Sequence, residues 1–475
     1  DDKVLVTSGE DGATRFWDVQ NGELLLTQYF FDGSPNQWLI TDPNGYFDAT
    51  DEAMSLLHWI INGEVVSFNQ LKKEFWVPGL WDLRLNPSVN NQRNTIQTIG
   101  LHPSITDLKI SNDSVLVKVE RREGGYGPIS LYVNNKELAY DIRTKDFDET
   151  ATEQWVNWKI DSSVLGSGSN TFTVYCMNAA ETMRSKGGRT TSTSAQLLDS
   201  IVPKFFGVVV GVSAYKDSSM NLTFPGKDAK TILRAIDLAA GNLFGQENTY
   251  LRILSSDTGM APMKSKITAV FDTITSLAGP EDVVFVYLSG HGVADKEVNG
   301  EFHFLTEEAT SMKIGDLIED GQTTNFSLSG SDWIRLINKV KAQKQFMVID
   351  ACGAGKAVDN MSQQKGIRAS QIKAIDRMRD RTGMYVLSGC AADAVSYESS
   401  VYGQGVLTYA VLEAMRGAAL QKEGEVDVQS VMMYARERVP ELAKDIGAIQ
   451  EPQCLFSSGG SFPVGIITED DQRLI

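Results

Sequence analysis

Residues 283–292 read VVFVYLSGHG, and residues 346–355 read FMVIDACGAG. Each is a run of apolar residues that ends in small residues around one reactive side chain, His291 in the first and Cys352 in the second. A continuous apolar run is what a strand buried on both faces requires, and such strands belong to largely parallel sheets covered by helices on both sides. Neighbouring segments repeat the alternation. Residues 205–212 form a third apolar run, 250–254 a further strand, and 385–387 another. Between and after them, residues 227–240, 264–277, 332–340, 406–415 and 428–442 place apolar side chains at helical spacing, as with Ile267, Val270, Phe271, Ile274 and Leu277. Strand, helix, strand, helix from about residue 201 to 468 predicts an α/β domain.

In such sheets, sites form at the carboxyl ends of the strands, and both motifs fall there. Glycines on either side of His291 remove Cβ crowding, so the ring can project into a cleft. Cys352 is followed by Gly353, Ala354 and Gly355, over which a peptide backbone can approach closely. One cysteine and one histidine on two strand ends supply a nucleophile and its acid–base partner. Each alone is a weak signal, since a lone cysteine is usually a small buried hydrophobe.

Composition bounds the rest. The 475 residues carry 44 basic and 61 acidic side chains, a formal net charge of −17, and 42% are hydrophobic. That excludes collagen and wholesale disorder, and an acidic surface argues against nucleic acid as a partner. Four scattered cysteines and four histidines make neither a disulfide framework nor a zinc site. No apolar run approaches the ~18 residues of a membrane span, and the first residues show no basic stretch followed by an apolar one. The expectation is a cytoplasmic protein with no metal, no required cofactor and no membrane contact.

The N-terminal 200 residues read as β-rich. Residues 8–25, SGEDGATRFWDVQNGELL, resemble one WD40 repeat in their turn–strand–Trp-Asp–turn–strand order. A propeller closes only with several blades, and no second copy is present. With Asp1 in place of an initiator methionine, the chain is expected to be a piece of a longer protein with an upstream propeller. The expected organisation is a WD40-like repeat at 1–32, a mixed module at 33–87, an immunoglobulin-like sandwich and linker at 88–200, and the α/β domain at 201–468. In the mixed module residues 54–61 suggest a short helix and 76–85 a packed irregular segment. Strands are expected at 106–110, 114–120, 129–133 and 170–176, and KGGRTTSTS at 186–194 as a linker or final edge.

The C-terminal part resembles the caspase–metacaspase family of cysteine peptidases, of the prokaryotic type. The resemblance rests on FFGVVVGVSAY, SGHG, DACGAG, YVLSGCAADAVSYE and GQGVLTYAVLEAMRG over roughly residues 202–465. His291 lies 61 residues before Cys352, near the ~50 of the caspase signature, and Ala351-Cys352-Gly353 is in register with it. Asp350 stands where that signature has Gln, and Ala354 where it has Gly. The resemblance implies a Cys352–His291 dyad and an oxyanion site at the N–H groups of Gly292 and Cys352. It also implies a P1 pocket lined two residues before the cysteine, at Asp350, an anion as in metacaspases that cleave after Arg or Lys. Asp228 matches a second pocket carboxylate, although Lys227 replaces the preceding Asn; it also reads as a helix cap. Ser388 and Gly389 are expected to edge the same pocket, and Cys390 to be a packed small residue. Neither the motifs nor the composition decides on calcium.

Between Gly355 and Gly383 lie seven basic residues: Lys356, Lys365, Arg368, Lys373, Arg377, Arg379 and Arg381. They read either as a solvated helix and loop or as a segment that the enzyme cuts in itself, with 361–365 a mobile tip. The expected function is a cysteine endopeptidase for protein or peptide substrates with basic P1. Its alternatives are a regulatory scaffold whose caspase-like part recognises partners, a peptidase with P1 Asp, and a hydrolase of non-peptide acyl groups. A regulatory partner would bind through the N-terminal domains.

Overall fold

The structure is a computed structural model that describes residues 3–31, 37–85, 95–111, 113–194, 202–294, 301–319, 322–323, 326–351, 361–389, 398–457 and 459–475. The chain forms two compact units. One is built on Asp1–Val133, Leu138–Asp161 and Thr171–Ser192, the other on Asn134–Glu137, Ser162–Asn170 and Thr193–Ile475.

The first unit opens with an antiparallel sheet of five strands in chain order, Val4–Ser8, Ala13–Asp18, Leu24–Phe30, Trp38–Thr41 and Phe47–Ala49. The helix expected at 54–61 is not there. One turn, Asp51–Met54, is followed by the strand His58–Ile61, which pairs with Glu64–Ser67. Asn62 and Gly63 adopt φ of 50° and 81° between them, the positive angles that an Asn-Gly hairpin turn demands. That turn overrides the weaker helical spacing. Residues 76–85 are not irregular throughout, since Leu80–Leu85 is helical. Further along the chain lie two antiparallel sheets, of four and three strands. One edge of the former is Gly188–Ser194, so this small polar stretch is a final edge strand.

The second unit is built on β1 (Phe205–Gly211), α1 (Pro225–Phe244), β2 (Thr249–Ser255), α2 (Lys264–Leu277), β3 (Val283–Ser289), α3 (Gly330–Lys339), β4 (Lys344–Asp350), α4 (Met361–Thr382), β5 (Tyr385–Ser388), α5 (Val406–Glu413), α6 (Val428–Asp445) and β6 (Gln453–Leu455). Its six-stranded sheet runs β2-β1-β3-β4-β5-β6, parallel from β2 to β5, with β6 antiparallel at the edge. β1, β3 and the inner strand β4 are buried almost end to end, which is why apolar runs fill β1, β3 and the centre of β4, Phe346–Ile349. One face packs Val286, Leu288, Met347 and Ile349 against Phe271, Trp333, Ile375 and Met378. The other packs Phe285, Tyr287 and Val348 against α1, α5 and α6 through Ala229, Leu407, Ala410 and Met432.

Two local results bear on the site. A small antiparallel sheet, Gly292–Ala294, Phe302–Leu305 and Ser327–Ser329, follows the SGHG motif. The basic segment contains α4, whose last turns bury Ile372, Ala374, Ile375 and Met378. Residues 361–365, expected as a mobile tip, form the first turn of this helix.

Candidate active site

The sheet register assembles the site. In the β3–β4 ladder Ser289 stands opposite Asp350, so the residues after each strand emerge side by side. Gly290, at φ 151°, turns the chain out of β3 and donates its N–H to the Asp350 carbonyl at 3.4 Å. A Cβ on Gly292 would collide with the Ala351 carbonyl, so the residue after the histidine lies against the residue before the cysteine. Only glycine permits that approach. Cys352 itself lies outside the described residues, as do Cys390 and Lys356.

His291 is held at two points. Its backbone N–H donates to Tyr215 Oη at 2.8 Å, and its Nε2 lies 2.8 Å from the Met220 carbonyl oxygen. A carbonyl only accepts, so Nε2 carries the proton and the Nδ1 lone pair of the neutral ring is left for proton transfer. Burial lowers the pKa of the ring below the ordinary 6.5, and the Met220 bond partly offsets this. The neutral, base-competent form therefore dominates at neutral pH. The ring is thus held by a backbone carbonyl rather than by a carboxylate, an anchor that leaves no mark in residue type.

The two expected pocket carboxylates converge. Asp228, in the first turn of α1, is 1% exposed, and Asp350, at the end of β4, is 7% exposed. A Cβ on Gly405 would collide with Asp350 Oδ2 and lie 3.2 Å from Asp228 Oδ2. Gly405 is the N-cap of α5. Its N–H donates to Asp228 Oδ2 at 3.0 Å, so Asp228 takes a hydrogen bond from another helix's start. Asp350 Oδ2 accepts the Thr408 hydroxyl at 2.5 Å and its backbone N–H at 3.2 Å. Both anions thus sit at the positive end of α5. Thr408 Oγ1 is 2.6 Å from Tyr287 Oη, in the middle of β3. Burial and the two carboxylates raise the pKa of that phenol well above its ordinary value, so it stays protonated.

Ser388 is buried at the end of β5, opposite Ile349. Gly389 donates its N–H to the Ile349 carbonyl at 2.9 Å and accepts from Gln450 Nε2 at 2.9 Å. The strand ends of β3, β4 and β5 are therefore tied into one rim. Neither Gln450 nor Thr408 was singled out from the sequence, because each acts on a partner far along the chain.

The cations of the basic segment are partly engaged. Arg379 pairs with Asp376 at 2.7 Å, and Arg381 is bidentate on Glu137 with Nε contacts of 3.0 and 2.9 Å. Arg377 is exposed and Lys373 half-buried, both on α4. Among the described residues no group of three or more His, Cys, Asp or Glu is gathered to hold a metal ion, and no helix is long and apolar enough to cross a membrane.

No curated protein matches the chain. A type III pullulan hydrolase from Thermococcus kodakarensis is similar over 70% of this chain and 68% of its own, at 11% identity and a TM-score of 0.12, too low to bear on the fold. Residues 205–460 match the caspase domain family. That match takes in the whole sheet, both strand-end motifs and α5. With more than half of its 475 residues inside it, the chain belongs to the caspase domain family of cysteine peptidases.

Proposed function

We propose that the protein is a cysteine endopeptidase that cuts after Arg or Lys through Cys352 and His291. The observation that carries the P1 assignment is the meeting of Asp228 and Asp350 at Gly405. Two carboxylates held at one point bind an ammonium or guanidinium and disfavour an acidic P1 side chain. Family membership supports the nucleophile, and the two-point hold on His291 supports its partner.

In this mechanism Cys352 Sγ adds to the scissile carbonyl while its proton passes to His291 Nδ1. The N–H groups of Gly292 and Cys352 receive the oxyanion. His291 returns the proton to the leaving amine as the C–N bond breaks, and then takes one from the water that hydrolyses the thioester. The proposal extends to self-processing within 355–383. Peptidase sites take their substrates extended, so α4 must open before any cut on it. We assign the N-terminal strands, read as a WD40-like repeat and an immunoglobulin-like sandwich, to partner binding, and the protein to the cytoplasm.

A fluorogenic peptide library varied at P1, run on the wild type and on Cys352→Ala, tests this reading. Cleavage confined to Arg and Lys and absent from Cys352→Ala is the expected result. Cleavage after Asp or apolar residues would overturn the pocket assignment, and activity in Cys352→Ala would overturn the nucleophile.

A further inference from the structure

His291 owes both of its anchors to one short segment, the connection between β1 and α1. Tyr215 supplies a hydroxyl to its backbone N–H, and Met220 supplies a carbonyl to its ring. These two residues are five apart in sequence, and a side chain sets the distance between their anchoring atoms. Asn221 Oδ1 accepts the Tyr215 backbone N–H at 2.8 Å, closing a loop over 215–221. Inside it the turn Ser218–Met220 is started by Asp217, whose side chain accepts from the Ser219 N–H. The loop is also tied at its base, where the Leu222 N–H donates to the Ser213 carbonyl at 2.9 Å and the Gly226 N–H donates to Ser213 Oγ at 2.8 Å.

Tyr215 is buried, and its ring lies 5.0 Å from the His291 ring with 35° between the planes. Its hydroxyl reaches the His291 N–H by passing over Gly290, where a Cβ would stand only 2.9 Å from it. The glycine before the histidine thus serves this contact as well as the turn. A hold on the backbone alone would leave the ring free to rotate, and a hold on Nε2 alone would leave the chain after β3 free to shift. Together they fix the position of Nδ1.

We propose that Tyr215 and Asn221 are positioning residues for His291: Tyr215 seats its backbone, and Asn221 keeps Tyr215 and the Met220 carbonyl at the spacing that aims Nδ1. This rests on the assignment of His291 to the dyad. It differs from a packing role, which would make Tyr215 a core ring like its neighbours and Asn221, whose side chain is exposed, dispensable.

The test compares Tyr215→Phe, Asn221→Leu and Asn221→Asp in the full chain. The first keeps the ring and removes the acceptor, the second removes the loop closure, and the third keeps an acceptor oxygen. Two readouts are taken: kcat and KM on a P1-Arg peptide, and the His291 ring tautomer by nitrogen NMR, assigned with His291→Gln. Misaligned acid–base groups lose a large part of a contribution of about 10²–10⁴, so Tyr215→Phe and Asn221→Leu should lower kcat about tenfold or more. KM should stay within about twofold. Asn221→Asp should recover most of the loss. The wild-type ring should show a proton on Nε2 alone, and the two damaging variants a mixture of tautomers.

If Asn221→Leu keeps its kcat within about twofold and its single tautomer, or if Asn221→Asp is as damaged as Asn221→Leu, the positioning role is wrong. If the wild type cleaves no peptide, the endopeptidase reading fails instead, and the tautomer measurement alone decides the seat.

Discussion

A methyl group placed on Gly405 tests the acidic pocket more sharply than removing a carboxylate. Gly405 has φ −61° and ψ 140°, angles open to any residue, so alanine there meets no backbone strain. Its Cβ would strike Asp350 Oδ2 and press on Asp350 Cγ and Asp228 Oδ2, each at 3.2 Å. To reach ordinary contact the Asp350 oxygen must retreat by about 1 Å, a displacement that can cost around 10²-fold in rate when it misplaces a substrate. The retreat breaks the bonds from Thr408 Oγ1 and N, at 2.5 and 3.2 Å. Each hydrogen bond to a charged group contributes about 1.5–3 kcal/mol, so the carboxylate resists and the pocket deforms around it. We expect Gly405→Ala to lower kcat/KM on P1-Arg peptides about 100-fold, equivalent to about 2.7 kcal/mol of transition-state stabilisation. Alkylation of Cys352 by iodoacetamide, which needs no P1 side chain, should proceed at the wild-type rate. Gly405 is also a helix N-cap, where alanine costs about 1 kcal/mol of stability, so assays belong well below the variant's Tm. Gly315→Ala, at a glycine with open space around it, is the control and should change nothing. A folded Gly405→Ala enzyme whose kcat/KM stays within about threefold of wild type would refute the claim that P1 is read between Asp228 and Asp350.

Four further outcomes follow from the same geometry. His291→Ala should cost at least about 10²-fold in kcat while leaving Tm near wild type, measured by progress curves and calorimetry. Asp350→Asn should lower kcat/KM on Arg substrates by about 10²-fold or more without creating activity on Asp substrates, since removing one anion leaves a buried P1 cation short of its partner. The pKa of His291 is lowered from 6.5 by burial, so the acid limb of kcat/KM should have its midpoint below 6.5, with activity rising as the ring loses its proton. The linked stability is fully present above 6.5 and falls as pH drops toward the lowered folded value, because the unfolded chain takes up the proton first. Incubated wild-type protein should split into two fragments by a cut between Gly355 and Gly383, the new C-terminus being Lys or Arg. Arg379 and Arg381 are held by Asp376 and Glu137, and a cut after either one would contradict this account.

The α/β domain was legible because its chemistry is repeated along the chain. Strands buried on both faces must be apolar, and 283–288 and 346–349 are unbroken apolar runs inside the strands Val283–Ser289 and Lys344–Asp350. The ends of those strands carried the site because small residues there are costly unless something must come close. The rest of the site is carried by atoms rather than residue types. The Met220 carbonyl belongs to every amino acid alike. Thr408 and Gln450 hold residues 58 and 61 positions away, and nothing local marks them. α4 was hidden for another reason. Its first half reads MSQQKGIRASQ, with few apolar residues, and Ile372, Ile375 and Met378 follow only in the second, so the sequence shows no apolar stripe along the whole segment. At 58–67 the Asn62-Gly63 pair is the local sign of a hairpin, and it outweighs the helical spacing of 54–61.

The pairing of Ser289 with Asp350 across the β3–β4 ladder has a consequence for how this family can vary. The distance between a histidine and a cysteine on adjacent strand ends is set by the rungs of the ladder, about 4.8 Å apart sideways, and by which rung each strand stops on. The length of chain that wanders between them enters nowhere. Here that excursion holds a small sheet and a helix, and the count from His291 to Cys352 is 61. Residues can be added to it or removed without moving either reactive group, provided no rung slips. A slip of one residue is the event that such a protein cannot survive, since it would turn the side chain at the end of β4 to the opposite face. The connection is where new binding surfaces can be written, and the ladder is the part that must be copied without error.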